Sequence, residues 1–268
     1  MCYKTGPHFS SPGTDLGAGK RALQIEYADL SLVGHREDNQ DRVGVAAGEH
    51  AALVMAVDGM GGHSDGAKAA ETALASLTAS FWQHVHPLFD PLGFLHLALG
   101  KAHEDVVALG YGLPLDQRPR ATCAVSLVQE GSAWWGHVGD SRVYQVRNGE
   151  VIARTRDHSH VEQLLRDGVI TEAEAHGHPM RNFVECCVGG DPMLTEMTIG
   201  RRQPLKRGDV LLTCTDGLWA NMRDSEVAAP WRSSANLREI LAEICARAVL
   251  ASAPHSDNTS AAVLRWLA

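Results

Sequence analysis

The chain has 268 residues, 44% of them hydrophobic and 21% charged, and its 24 Lys and Arg against 32 Asp and Glu give a formal net charge of −8. That composition fits a water-soluble globular protein with a sizeable core, and no apolar run is long enough to span a bilayer. The acidic balance, with no basic tract to neutralise phosphates, excludes a general nucleic-acid binder, and the carboxylates are too dispersed to form an acidic tail.

Residues 1–22 are punctuated by Gly, Ser and Pro and lack the apolar core and cleavage site of a secretory signal. They read as a flexible N-terminal segment ahead of one domain over 23–268. Residues 53–57 form a buried-strand pattern that ends on Asp58. Ala70, Leu74, Leu77 and Phe81 mark a helix entered through Ser64 or Asp65 as its cap, and Leu92, Leu95, Leu99, Ala102, Val106 and Leu109 mark a second. Strand patterns follow at 122–128, 133–138 and 143–146, with Trp134 and Trp135 facing opposite sides of theirs.

Asn148-Gly149 supplies the left-handed backbone of a tight hairpin, and Val151-Ile152 begins its return strand. Val161, Leu164 and Leu165 followed by Gly168 read as a short amphipathic helix and its stop, and Thr171-Glu172-Ala173-Glu174 as the cap and acidic first turn of another. Residues 210–213 lead, strand-like, towards Asp216. Leu237, Ile240, Leu241, Ile244, Ala248 and Val249 share one helical face, and 260–266 read as a terminal strand. Hairpin-like strands interrupted by paired helices predict an α+β fold with antiparallel sheets.

The six cysteines (Cys2, Cys123, Cys186, Cys187, Cys214 and Cys245) show no CxxC pairing and no regular framework, which fits a reducing cytoplasm. Cys123 and Cys214 lie in apolar runs and read as buried small hydrophobes. The 14 histidines include no set with zinc spacing.

The informative feature is the placement of aspartates. Asp58, Asp140 and Asp216 each follow a strand-like run beside Gly or Ser, in Asp58-Gly59-Met60-Gly61-Gly62-His63, Gly139-Asp140-Ser141-Arg142 and Thr215-Asp216-Gly217, and Asp257-Asn258-Thr259 precedes the last strand. A carboxylate at a strand end is held by a rigid element yet reaches solvent. Several that converged would repel one another unless a hard cation neutralised them. Taken singly, each of these aspartates reads as a turn or cap residue before it reads as a ligand, and it is the four together that point to a cation.

These strings, together with Gly34-His35-Arg36-Glu37-Asp38-Asn39-Gln40-Asp41 and Asp157-His158-Ser159, resemble in kind and order the metal-dependent protein phosphatases of the PPM (protein phosphatase type 2C) family in its compact bacterial form. The resemblance implies a four-layer αββα fold: a central antiparallel β-sandwich flanked by pairs of helices, with a flap near 157–190. It implies hydrolysis of phosphoserine and phosphothreonine on proteins by a metal-activated bridging water, with two or three Mn2+ or Mg2+ as cofactors. Asp58 would bridge two ions with help from the Gly59 carbonyl, and Asp216 and Asp257 would complete the first site. Asp41 would support the second through water, and Asp140 with Asp216 would form a weaker third.

Arg36 matches the arginine that grips substrate phosphate, for which its planar fork is suited; an ion pair with Glu37 or Asp38 is its plainer role. His63 either protonates the leaving oxygen or orients water and fixes its loop. Gln40 stands where many members carry Glu, Met60 where eukaryotic relatives carry His, and Cys186-Cys187 where a basic residue is common. The implied partners are phosphorylated proteins, substrates of a Ser/Thr kinase, for a cytoplasmic monomer that engages neither nucleic acid nor membrane. The rival readings are a regulatory module that binds phosphoproteins and a hydrolase of a small phosphoester.

Overall fold

A computed structural model of the chain describes residues 22–60, 63–181, 183–194, 196–233 and 235–268, without the side chains of His63, Ser64 and His176. The expected N-terminal segment therefore lies, but for Ala22, outside the described residues.

In chain order, β1 (Ile25–Leu32), β2 (Asp41–Ala47) and β3 (Ala51–Met60) precede two long helices, α1 (His63–Trp82) and α2 (Pro91–Leu109). The strands β4 (Arg120–Gln129), β5 (Ser132–Val138), β6 (Arg142–Arg147) and β7 (Glu150–Arg154) follow as successive hairpins. Next come α3 (His160–Arg166), α4 (Glu172–His176) and the two-residue strands β8 (Val188–Gly189), β9 (Thr198–Ile199) and β10 (Gln203–Pro204). The chain closes with β11 (Val210–Cys214), α5 (Asp216–Trp219), α6 (Asp224–Ala228), α7 (Leu237–Ala251) and β12 (Thr259–Trp266).

Two antiparallel sheets result. One has the order β1-β12-β11-β6-β7, and the other β10-β5-β4-β3-β2, with β8 beside β4 and β9 beside β5. The two-residue period of a strand explains the layering. On β3, Ala52 and Val54 face the other sheet, where they meet Val143, Leu211 and Leu264. Leu53, Met55 and Val57 face outward and pack under Leu77, Phe81, Leu95 and Leu99 of α1 and α2. Trp134 and Trp135 divide in the same way, Trp134 beneath the helices and Trp135 between the sheets. On the far side Tyr144, Leu212 and Val263 pack against Leu241, Ile244 and Ala248 of α7.

That far layer consists of one long helix with the short α5 and α6, so the helical layers differ in make-up. The α+β sandwich itself is the one expected. The hairpin at Asn148-Gly149 has φ values of 52° and 77°, the left-handed pair that a tight turn of this hand requires.

Some local expectations are corrected. Helix α1 begins at His63, so Ser64 and Asp65 lie inside its first turn and neither is its N-cap. Leu92 is exposed and Phe94 takes its place in the buried stripe of α2. Strands β1 and β2 carry no strong strand signal. Exposed polar residues interrupt β1, with Glu26 and Asp29 open to solvent on opposite faces, and β2 contains Gly44 and two alanines. Among the described residues no helix is long and apolar enough to cross a membrane.

Candidate active site

Strand direction gathers the carboxylates at one end of the sandwich. β2 starts at Asp41 and pairs antiparallel with β3, which sets Asp41 opposite Asp58 in register. In the facing sheet, β11 ends at Cys214 opposite Arg142 at the start of β6 and Ala261 near the start of β12. Asp140 and Asp257 sit on the connections beside those ends, and Asp216 opens α5 just after β11.

Their mutual electrostatics show that they converge. The Asp58 carboxyl is pushed well above the usual range, first by desolvation and then by the charges of Asp41, Asp216, Asp140 and Asp257. Asp216 moves the same way, through desolvation and then Asp140, Asp257 and Asp41. Asp140 is pushed up to about 7 by burial and by Asp157, against the opposing pull of Arg142. Burial raises Asp41 to about 6 although hydroxyl hydrogen bonds lower it, among them one from Thr215 Oγ1 to its Oδ2 at 2.8 Å.

The loops that carry these groups are fastened to one another. Asn258 Nδ2 donates to the carbonyls of Val33 and Asp38, both at 2.9 Å, while its Oδ1 accepts from the Gln40 amide at 2.8 Å. Close backbone approaches demand glycine at two positions. A Cβ at Gly217 would lie 2.0 Å from the Asn258 carbonyl oxygen, and one at Gly59 would lie 2.0 Å from that of Gly66 in the first turn of α1. Thr122 falls opposite Asp58 in register and bonds Ser141 Oγ at 2.7 Å, linking β4 to the Asp140 turn.

Arg36 reaches the cluster, where its guanidinium donates to Asp257 Oδ2 at 2.6 Å. The Gln40 side chain abuts Gly66. The side chain of His63 lies outside the described residues, so its two expected roles are not distinguished.

The chemistry of this donor set fits hard divalent cations. Every charged group in it is a carboxylate, and Asp140 Oδ1 is buried with no hydrogen-bond partner among the described residues. Among those residues no three Asp, Glu, His or Cys side chains are grouped closely enough to hold a cation as they stand.

A family model described as protein phosphatase 2C matches residues 33–253. The chain belongs to the protein phosphatase 2C family. The serine/threonine protein phosphatase PstP of Mycobacterium tuberculosis is 32% identical over 209 residues, which make up 76% of this chain and 38% of that protein. The chain thus spans well under half the length of that relative. A putative protein phosphatase 2C-type protein of Streptococcus pyogenes is 31% identical over 210 residues, 76% of this chain and 82% of that one. Among solved structures, the catalytic domain of PstP in complex with two manganese ions superposes with a TM-score of 0.75 at 27% identity, covering 91% of this chain and 99% of that one.

The expected flap of this phosphatase 2C domain is anchored beside the cluster. Ser159 caps α3 by accepting from the Glu162 amide, and Thr171 and Glu174 form a reciprocal capping box on α4. The His158 amide donates to the Gly139 carbonyl at 2.9 Å, and the Gly139 amide donates to His158 Nδ1 at 3.2 Å. His158 stacks on His137 at 4.4 Å, and burial lowers both imidazoles to about 4, keeping them neutral.

Sequence reasoning missed the buried network behind the cluster. Arg142 donates to both oxygens of Asp157, at 2.8 and 2.6 Å, and to the Tyr144 hydroxyl at 3.0 Å. Its guanidinium lies 3.3 Å from the centre of the Trp219 ring. The only sequence signal for this was Arg142 closing the string from Gly139.

Proposed function

We propose that this chain is a metal-dependent protein phosphatase that removes phosphate from phosphoserine and phosphothreonine on proteins, opposing a Ser/Thr kinase in the cytoplasm. The observation that carries the reading is the convergence of five aspartates from both sheets at one end of the sandwich, with a buried carboxylate oxygen of Asp140 that has no hydrogen-bond partner among the described residues. The family and the names of the relatives support it.

Asp58 would serve two cations, with the Gly59 carbonyl helping to hold one of them; Asp216 and Asp257 would complete the first site, Asp41 would support the second, and Asp140 with Asp216 would hold a third. Manganese in the PstP catalytic domain makes Mn2+ or Mg2+ the natural choice. When bound, such ions neutralise the phosphoryl oxygens and acidify water for attack on phosphorus.

The remaining work falls to the chain's own residues. Thr215 orients Asp41, Asn258 holds the Arg36 loop against the Asp257 turn, and the Arg36 fork receives and orients the substrate phosphate. His63, at the start of α1, supplies the leaving oxygen with a proton or orients water. No cysteine is needed as nucleophile, and burial pushes the thiols of Cys123 and Cys245 up to about 12.

Phosphate release from a phosphothreonine peptide, measured after chelation and again with Mn2+ restored, tests the reading. Release should vanish with chelation, return with Mn2+, and stay absent in Asp58→Asn. A folded wild-type chain that releases no phosphate at saturating Mn2+, or an Asp58→Asn variant that turns over normally, would overturn it.

A further inference from the structure

The segments that carry Asp140 and Asp216 are bridged by a side chain that neither the metal-site assignment nor the phosphate grip uses. Asp216 is the first residue of α5, a single helical turn, and Trp219 is the last. The Trp219 indole Nε1–H donates to the main-chain carbonyl of Asp140 at 3.1 Å. On the other side, the ring is covered by the Arg142 guanidinium, itself held by both oxygens of the buried Asp157. The indole therefore spans from one carboxylate's helix to the other's turn, and the clamp on Arg142 restricts the ring's tilt.

We propose that Trp219 is a positioning residue that fixes the spacing of Asp140 and Asp216, and hence the affinity of the cation these two carboxylates share. This rests on the reading that they hold one. Loss of a single oriented hydrogen bond predicts a moderate effect confined to that cation. Trp219→Phe keeps a ring beneath Arg142 and removes only the donor.

Free Mn2+ counted by electron paramagnetic resonance during titration of the full chain reads the ions directly, without reference to turnover. Asp140→Asn identifies the class of ion that depends on Asp140. In Trp219→Phe that class should weaken about fivefold, while the other ions keep wild-type affinity and the melting temperature in chelator stays within a few degrees.

Wild-type Mn2+ affinity for every class in Trp219→Phe would overturn the assignment, whether or not the variant is less stable. Should Trp219→Phe fail to fold, the indole N–H resonance of Trp219 in the unaltered chain decides. It should shift on Mg2+ addition in wild type and not in Asp140→Asn, and an unshifted resonance would overturn the assignment. A wild-type chain that binds no Mn2+, or an Asp140→Asn variant that binds as wild type, would instead remove the cation reading and this inference with it.

Discussion

Arg36 and Asp257 form an ion pair at 2.6 Å across 221 residues of sequence, so the arginine suited to grip phosphate is held by one of the carboxylates suited to hold a cation. The pair is open to solvent, with the Arg36 side chain 57% exposed, and it is worth little to stability. Its weight is on function. On the proposed assignment, a cation that draws on Asp257 would compete with Arg36, and an Arg36 released from Asp257 would be available to substrate. Arg36→Lys should raise KM for a phosphopeptide about tenfold, because an ammonium cannot reproduce a two-pronged contact. Arg36→Ala should do the same while leaving Mn2+ affinity equal or tighter. Steady-state kinetics with a parallel Mn2+ titration check both.

Crowding of the carboxylates makes the chelated protein sensitive to alkali. Asp41 and Asp140 are raised from 3.8 to about 6 and about 7, and burial and the neighbouring carboxylates push Asp58 and Asp216 well up in the same direction. A carboxyl whose folded pKa lies above its unfolded one stabilises the fold at low pH, and that stability is lost as pH rises through the folded value. His137 and His158, lowered to about 4, act oppositely, but only below about 6.5, where the unfolded imidazoles gain protons. The urea midpoint measured in chelator should therefore fall from pH 6.5 to pH 8. Asp140→Asn should flatten the fall, and Mn2+ at pH 8 should reverse it.

Asn258 is buried and fastens three points of the Arg36 loop through one side chain. Asn258→Ala should cost about 2–3 kcal/mol of unfolding free energy, since it strands buried main-chain groups. Turnover should fall further than this loss of stability explains. Urea denaturation and kinetics on the same preparation separate the two effects.

Gly217 lies between Asp216 and the crossing Asn258 main chain, where a methyl group would meet a carbonyl oxygen at 2.0 Å. Backbone must move to admit it. Gly217→Ala should weaken Mn2+ binding at least tenfold and lower the melting temperature, as overpacking by a rigid neighbour does. Calorimetric Mn2+ titration is the direct check.

If the proposed chemistry uses no thiol, activity should resist alkylation. Cys123, Cys214 and Cys245 are buried, and burial raises the pKa of each. Native protein treated with iodoacetamide at pH 8 should keep its turnover, with Cys187, which is half-buried, the most accessible of the described thiols.

The parts of the molecule legible in the sequence were those fixed by local periodicity or by an unbroken string. The buried strand β3 could be read from the apolar run 53–57, and the hairpin at Asn148-Gly149 from backbone preference alone. The aspartates were legible as strand-end residues, and the ordered strings gave the family. The fastening of the site was not legible. Asn258 reaches back 218 residues to Gln40, and Trp219 reaches back 79 to Asp140, and no spacing rule links such partners. Strand β1 was hidden because half of it faces water beside a single neighbour, β12, so polar residues interrupt its apolar pattern.

The flap leaves and rejoins the body at a narrow neck. Ser159 pairs with Val184, the His160 amide donates to the Phe183 carbonyl, and the Glu185 amide donates to that of His158. A loop closed at its base by main-chain bonds is an exchangeable cassette. Its length and surface can change without shifting the register of the strands on either side. Evolution can thus retune the surface offered beside the site while the carboxylate end of the sandwich stays as it is, and on the proposed function a flap grafted from a relative should carry that relative's substrate preference with it.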